Sequence, residues 1–363
     1  MQNKNLGIYY DKSILKGFGG VENYAVFLNE KLSSLLNVVF ICDKNNGYYN
    51  YNQEGQEVSC NYKFDIIINL SGIDPNKTYK FCQYFKNTPI ITILHMDPGD
   101  IIYRVSSKLG IRSIIFIKLL SFIFEKSSKI RRSSKLFKSN YKNSFLTLVI
   151  AKEYINKYCS LNGIKDDEMD SIDYILNPLI NQKNDEDLIS NFDDKQIKIV
   201  WAGRNNKQKR PDLAYEFCEL IESQTSYTFT VFIENKGYFD GFKNENYRNC
   251  FIEKPFKDSI KLKNYNVLLL TSDFEGYPLI IIEALAMGLW ILCSDSFGAA
   301  KSLLNSPEIG IVYPYNYSMS QVLGIIKKNE FIINNPNNIN RRIEYSHSKF
   351  DQNGHIKRLL NFI

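Results

Sequence analysis

VLLLTSDFEGYPLIIIEALAMGLWILCSD, residues 267–295, is the stretch whose reading decides the fold. Four apolar residues, Val267 to Leu270, bounded by polar ones, read as a buried strand. A polar loop follows from Thr271 to Tyr277, and a helix is expected to open at Pro278 and close at Gly288. Leu289 to Cys293 form a second buried strand. Strand, loop, helix, strand is a parallel βαβ unit. Its loop then lies at the carboxyl edge of the sheet, where open α/β folds bind ligands, and the helix turns its free N–H groups toward whatever sits there. Proline suits the first helical position and glycine suits the stop.

Two carboxylates stand out in this unit. Glu283 interrupts a helix that is otherwise apolar all round, and Glu275 sits in the loop just before it. A wholly apolar helix is a buried one, and a lone buried carboxylate is costly without partners. Together the pair can line one wall of a cleft and accept hydrogen bonds from the hydroxyls of a polyol. The plainer alternative is that Glu283 pairs with a core arginine and Glu275 is a solvated turn residue.

EGYPLIIIEALAMG, with Glu275 and Glu283 spaced E-x7-E, resembles the donor-sugar motif of retaining glycosyltransferases of the GT-B fold, family 4. The longer block SDFEGYPLIIIEALAMGLWILCSD most resembles bacterial lipopolysaccharide and surface-polysaccharide galactosyltransferases. The resemblance implies an α/β protein of two Rossmann-like domains facing each other across a cleft. It implies that Glu275 holds the donor's sugar hydroxyls, beside Gly276, Tyr277, Pro278 and Leu279, and that Glu283 holds the ribose. It also implies same-face attack assisted by the departing phosphate oxygen, with domain closure excluding water.

A chain of 363 residues is long enough for two such domains, each with its own core. Seven cysteines, at 42, 60, 82, 159, 218, 250 and 293, show no C-x-x-C and no metal-type spacing, so they read as reduced core residues of a cytoplasmic protein. No signal peptide is legible, since the N-terminus runs directly into the strand LGIYY. The net charge of +6 is modest but unevenly placed: residues 104–142 hold eleven Lys or Arg against the single acid Glu125. Interleaved with Ile, Phe and Leu, this basic segment reads as a surface attracted to the inner leaflet of the cytoplasmic membrane. Nucleic acid would attract the same charge, but no nucleic-acid module accompanies it; a solvated helix face is the remaining alternative.

In chain order, the strand Leu6 to Tyr10 leads through Gly17, Gly19 and Gly20 into a helix over about 21–36. Adjacent glycines ahead of a helix permit close approach of a phosphate or make a plain tight turn. The G-x-G-x-x-G fingerprint is not matched, which disfavours a nicotinamide cofactor. Similar GGVE segments open the first domain in family 4, which implies that Gly19 and Gly20 face the donor. Strands are expected at 38–42, 65–70, 89–94 and 146–150, with a helix over 151–158 and a strand over 172–176. His95 falls at the carboxyl end of one strand, either near the donor sugar, as the resemblance implies, or as a structural histidine; Asp97 is a weaker acceptor-side candidate. The segment ILNPL, residues 175–179, resembles the family's inter-domain joint. The division expected is 1–178, 179–345 and a terminal helical stretch, 346–363, crossing back to the first domain.

The second domain is expected to start with strand 197–201 and the loop AGRNNKQKRPD ahead of a helix over 211–222. Arg204 and Lys209 flank a turn at the carboxyl end of that strand, placed to neutralise a diphosphate leaving group. Gly203, Arg204 and Lys209 match the family's spacing; Arg210 stands where many members have glycine, which leaves open which cation makes the contact. Strands 228–233 and 251–253 follow, with the loop 254–256 as a resting place for the base, and helices over 297–304, 318–329 and 337–363.

The resemblance implies hexosyl transfer from a UDP-sugar, or a GDP-sugar, to a glycan or glycolipid acceptor, with catalytic parts for Glu275, His95, Arg204 and Lys209. No D-x-D motif ends a strand, so neither metal nor other cofactor is expected. A nucleotide-sugar epimerase or phosphorylase would use the same sheet edges, and a membrane-associated partner without turnover is the non-enzymatic alternative.

Overall fold

The computed structural model describes residues 4–11, 20–44, 47–59, 61–71, 75–95, 144–162, 164–180, 196–234, 237–244, 247–255, 259–296 and 298–363. Gly17, Gly19, Asp97, the basic segment 104–142 and the linker 181–195 lie outside them, as does Phe256 of the loop proposed for the base. The chain divides into two compact units, Met1–Asn177 with Asn353–Ile363, and Pro178–Gln352.

The first unit carries β1 (Asn5–Tyr9), α1 (Gly20–Leu32), β2 (Asn37–Lys44), β3 (Gly47–Tyr51), β4 (Glu57–Val58), β5 (Ile66–Asn69), α2 (Pro75–Tyr84), β6 (Ile90–Leu94), β7 (Leu146–Val149), α3 (Glu153–Asn162) and β8 (Ile172–Tyr174). Among the described residues its sheet has the order β4-β3-β2-β1-β5-β6-β7-β8, parallel from β2 to β8, with β3 and β4 added antiparallel at one edge. The central strands are apolar on both faces (IIIN, IITIL, LTLV), as strands covered by helices on both sides must be. Tyr9, Phe64, Phe81 and Ile90 share a cluster in which the Tyr9 and Phe81 rings stack at 3.7 Å.

The second unit carries β9 (Lys198–Ala202), α4 (Pro211–Gln224), β10 (Thr228–Phe232), β11 (Cys250–Glu253), β12 (Val267–Leu270), α5 (Leu279–Ala286), β13 (Trp290–Ser294), α6 (Ala300–Leu303), β14 (Gly310–Tyr313), α7 (Met319–Lys328), α8 (Glu330–Asn334) and α9 (Pro336–Lys349). Its sheet is parallel throughout in the order β11-β10-β9-β12-β13-β14. Strand order reverses between β9 and β12, so the loops leaving those two strands open side by side at the carboxyl edge, the position where doubly wound sheets take their ligands. Two-domain α/β architecture with largely parallel sheets is thus what the sequence reading required.

The helix α5 starts at Leu279, with Pro278 outside it as the cap at φ −68° and ψ 123°, rather than at the first helical position. Its end is a Schellman turn: Leu289 N–H donates to Ala284 O at 2.9 Å and Gly288 N–H to Leu285 O at 2.9 Å, with Gly288 at φ +79°. Ile281, Ile282, Ala284, Leu285 and Ala286 are buried, while Leu279, Ile280 and Glu283 are half-buried and share the remaining side. Arg342 of α9 is fully buried beneath that turn. It donates to the carbonyls of Gly288 (2.7 Å), Glu308 (3.0 Å) and Ile333 (2.7 Å), and Ser346 donates to Ile282 O at 2.8 Å. The buried arginine is therefore satisfied by main-chain oxygens, two of them at helix C-termini, where a cation is favoured.

The region 337–363 is broken. α9 ends at Lys349, Phe350 N–H donates to Ser346 O at 3.0 Å, and α10 (Gln352–Leu360) begins after Asp351. Phe350 and Gln352 bond Leu179, which keeps α9 with the second unit as far as Gln352. From Asn353 on, the helix belongs to the first: Arg358 donates to both carboxylate oxygens of Asp173 at 2.9 Å and to Tyr174 O at 3.0 Å. The change of unit thus falls seven residues beyond the expected 345.

Gly288 occupies the left-handed region, and a Cβ there would lie 2.7 Å from Ile339 Cγ2. Gly288→Ala is expected to destabilise the second unit by about 2 kcal/mol or more, combining backbone strain with overpacking. Urea unfolding followed at two wavelengths should show the midpoint fall with an unchanged slope.

Candidate functional site

The site grows from the two loops at the reversal point of the second sheet. The loop after β9 is short and tightly wound. Gly203 lies against the Trp201 ring and the Lys209 stem, so close that a Cβ would meet Trp201 Cη2 at 3.0 Å. The side chain of Asn206 caps the turn Lys207–Lys209 by accepting from Lys209 N–H at 3.1 Å. Arg210 then takes φ 53° and ψ 57°, the left-handed conformation, before Pro211 opens α4. Asn205, buried, donates to the carbonyls of Glu234 (3.2 Å) and Phe239 (2.9 Å) and accepts from Phe239 N–H (2.9 Å), fastening the loop after β10 alongside.

The loop after β12 is bonded to the first one at each step. Trp201 Nε1–H donates to Thr271 Oγ1 at 2.8 Å, and the Thr271 hydroxyl donates to Lys209 O at 2.9 Å. Gln208 accepts from Asp273 N–H at 2.8 Å and donates from its side chain to Phe274 O at 2.9 Å. Lys209 Nζ forms an ion pair with Glu275 Oε1, the same oxygen that accepts from the Ser272 hydroxyl at 2.6 Å. Glu275 is buried, at 8% exposure, so this is a largely desolvated pair rather than a solvated turn carboxylate.

Next to it lies a second ionic group. Arg210 donates from Nε (3.0 Å) and Nη2 (2.7 Å) to Asp212, and from Nη1 to Asp273 (3.2 Å) and the Tyr315 hydroxyl (3.3 Å). The Tyr315 hydroxyl donates in turn to Asp273 Oδ1 at 2.6 Å. Burial pulls the Arg210 guanidinium down, but hydrogen bonds and charge from Asp212 and Asp273 outweigh it and hold the group above the ordinary arginine range.

Of the residues read from the sequence, the structure brings Lys209 and Glu275 into contact. It leaves Arg204 exposed on the same loop, with Gly276, Tyr277, Pro278 and Leu279 continuing from Glu275. Tyr277 is buried against Phe350, ring centroids 6.0 Å apart. Glu283 is half-buried, and the fully buried arginine of this unit, Arg342, bonds three carbonyls. Ser272, Gln208, Asp273 and Tyr315 were not singled out from sequence; the non-glycine at position 210 was the one signal that pointed to their network.

His95 and Gly20 belong to the first unit. Gly20 is the exposed first residue of α1. His95 follows β6, its ring 4.7 Å from that of Tyr24 and hydrogen-bonded to Asn177, while its Nε2 is sealed from solvent without a partner among the described residues. His355 of α10 lies close by, with Nδ1 at 2.8 Å from Leu176 O and Nε2 at 2.9 Å from the Tyr24 hydroxyl. The carbonyl fixes the tautomer: Nδ1 donates and Nε2 accepts from Tyr24. Burial lowers the His95 ring to about 3, helped by His355, and lowers His355 to about 4. Both rings are neutral near pH 7.

With this geometry in hand, comparison with known proteins is informative. Residues 182–348, nearly the whole second unit, match the family described as glycosyl transferases group 1. A lipopolysaccharide 1,6-galactosyltransferase of Salmonella typhimurium is 36% identical over 53 residues, a match spanning 15% of this chain and 15% of that protein. Among solved structures, a sucrose-phosphate synthase from Thermosynechococcus elongatus superposes with a TM-score of 0.69 at 10% identity, over 99% of this chain and 98% of its own. The Anabaena protein HepE, in complex with UDP and glucose, superposes with a TM-score of 0.66 at 11% identity, over 99% of both chains. At such identities the superpositions establish the fold.

The neutral, buried histidines have a measurable consequence for the first unit. Their folded values lie below the unfolded 6.5, so the unfolded chain binds more protons between. Stability should be at its full value above pH 6.5 and fall as pH drops from there toward about 4. His355→Gln, which keeps a donor for Leu176 O and an acceptor for Tyr24, should flatten that slope in denaturant titrations from pH 7 to 4.5.

Proposed function

We propose that the second unit binds a nucleoside diphosphate sugar and that the protein is a retaining glycosyltransferase. It transfers a hexose, such as galactose, glucose or an N-acetylhexosamine, from a UDP-sugar to a saccharide hydroxyl of lipopolysaccharide, capsule or another surface glycan. The observation that carries this reading is the meeting of Lys209 and Glu275 at the point where the strand order of the second sheet reverses. One loop supplies cations and its neighbour supplies a carboxylate, as a ligand with a diphosphate at one end and hydroxyls at the other requires. The match of residues 182–348 to glycosyl transferases group 1, the UDP and glucose bound to a protein of the same fold, and the local likeness to a lipopolysaccharide galactosyltransferase support it.

In this reading Lys209 and the exposed Arg204 take up the negative charge that grows on the diphosphate as the bond to the sugar breaks. Glu275 accepts from sugar hydroxyls, exchanging its bond with Lys209 for bonds to the donor, and Ser272 holds it in place meanwhile. Glu283, on the less covered side of α5, accepts from the ribose. The two cations supply the charge neutralisation that a divalent metal gives elsewhere. His95, uncharged near neutrality, takes no part as an acid. The segment 104–142 is the part we assign to the inner leaflet of the cytoplasmic membrane; no helix among the described residues is long and apolar enough to cross one.

Thermal shift with a panel of UDP- and GDP-sugars tests the donor, because a ligand that binds only the folded state raises the midpoint by mass action. UDP-sugars are expected to raise it. Glu275→Ala should slow transfer to a saccharide acceptor about a hundredfold while UDP itself still binds. The reading fails if no nucleotide sugar shifts the midpoint, or if the variant transfers at the wild-type rate.

A further inference from the structure

We infer that Arg210 is a positioning residue for Lys209, and not itself a ligand of the donor's phosphates. The inference rests on the reading above, in which Lys209 touches the diphosphate. The main chain of Arg210 is in the left-handed region, φ 53°, the only described non-glycine residue with positive φ. A side chain there is strained relative to the ordinary helical region, and glycine would adopt the conformation freely. Keeping an arginine at such a position calls for a compensating interaction, and the structure shows one. Asp212 takes two of the guanidinium's donor nitrogens at 2.7–3.0 Å, and Asp273 and Tyr315 share the third. Both carboxylates lie beside the guanidinium, so its charge is already answered within the protein.

What the guanidinium gains by these contacts is geometry. Asp273 lies in the loop that carries Glu275, two residues away, and its own N–H is bonded to Gln208 O. Arg210 directly follows Lys209, so the clamp to Asp273 ties the two loops together beside the Lys209 to Glu275 contact. Thr271, donating to Lys209 O, closes the same ring from beneath. Removing the clamp frees the turn to rotate about a glycine-like joint, and Lys209 Nζ loses its fixed place even though its own side chain is unchanged.

Arg210→Gly removes the clamp while still permitting the left-handed conformation at 210; Asp273→Asn deletes the acceptor charge and leaves the residue at 210 unchanged. In calorimetric titrations with UDP and, separately, uridine, each variant should bind UDP about tenfold more weakly, the loss expected for one hydrogen bond to a charged group. Uridine, which lacks phosphates, should bind each variant as it binds the wild type. The double variant should lose about the same tenfold and not a hundredfold, since both changes break one link. Tyr315→Phe, which removes only the hydroxyl shared with Asp273, should weaken UDP a few-fold and serves as the check if Arg210→Gly does not fold. The inference is overturned if Asp273→Asn binds UDP as tightly as the wild type, or more tightly, while Arg210→Gly does not, since a released guanidinium would then be the ligand. It is overturned equally if both variants bind like the wild type, if uridine weakens in parallel, or if the two losses multiply. Wild-type protein that binds no UDP at all would instead defeat the functional reading on which this one stands.

Discussion

The constraint on which the second unit depends is the reversal of strand order between β9 and β12. In a parallel sheet each loop normally lies over the next strand and is covered by its helix; where the order reverses, two loops leave in opposite directions and a crevice stays open between them. This chain fills the floor of that crevice with hydrogen bonds. Trp201, Thr271, Gln208 and Asp273 bond one loop to the other through side-chain and main-chain groups, and the Lys209 to Glu275 pair lies beside them. A desolvated ion pair contributes little net stability, because dehydration offsets most of the attraction. Its value here lies in orientation: two groups that a ligand can address separately are already held at the spacing of the loops that carry them.

Charged groups inside the two units are handled by different means, each following from what lies within reach. Arg342, with no carboxylate in hydrogen-bond contact among the described residues, is satisfied by three carbonyls. Burial lowers it to about 9, still well above neutrality, so it stays charged and its donors knit α5, α8 and α9. His95 and His355 go the other way and give up their charge, because a neutral imidazole needs only one donor and one acceptor. Arg210 keeps its charge by recruiting Asp212 and Asp273. The same cost of burying a cation has thus been met three ways, and only the third leaves the group where it can order a site.

Much of the fold was legible from local pattern. The parallel strands of both sheets apart from the edge strand β14, the βαβ unit at 267–294 and Gly288 as a helix stop follow from apolar runs and from glycine's tolerance of positive φ, properties carried by neighbours in sequence. What escaped has a reason in each case. β3 and β4 are short and rich in Tyr, Asn and charged residues, so no alternation marks them; they exist because they add to the edge of a sheet already formed. The break at Phe350 is invisible in a region that is helical throughout by composition, since it arises from Phe350 and Gln352 bonding Leu179, more than 170 residues away.

For the site the division is the same. The sequence alone determined which residue types stand at the carboxyl edge: a glycine and cations after β9, carboxylates after β12 and on α5, and an arginine in an unusual position. Only the tertiary structure decided how they are joined. It put Lys209 on Glu275, set the Arg210 clamp on Asp212, Asp273 and Tyr315, and bonded the buried Arg342 to carbonyls. Residues 63 to 105 positions apart are brought within hydrogen-bond distance by strand order, and strand order is a property of the whole sheet that no stretch of sequence carries by itself.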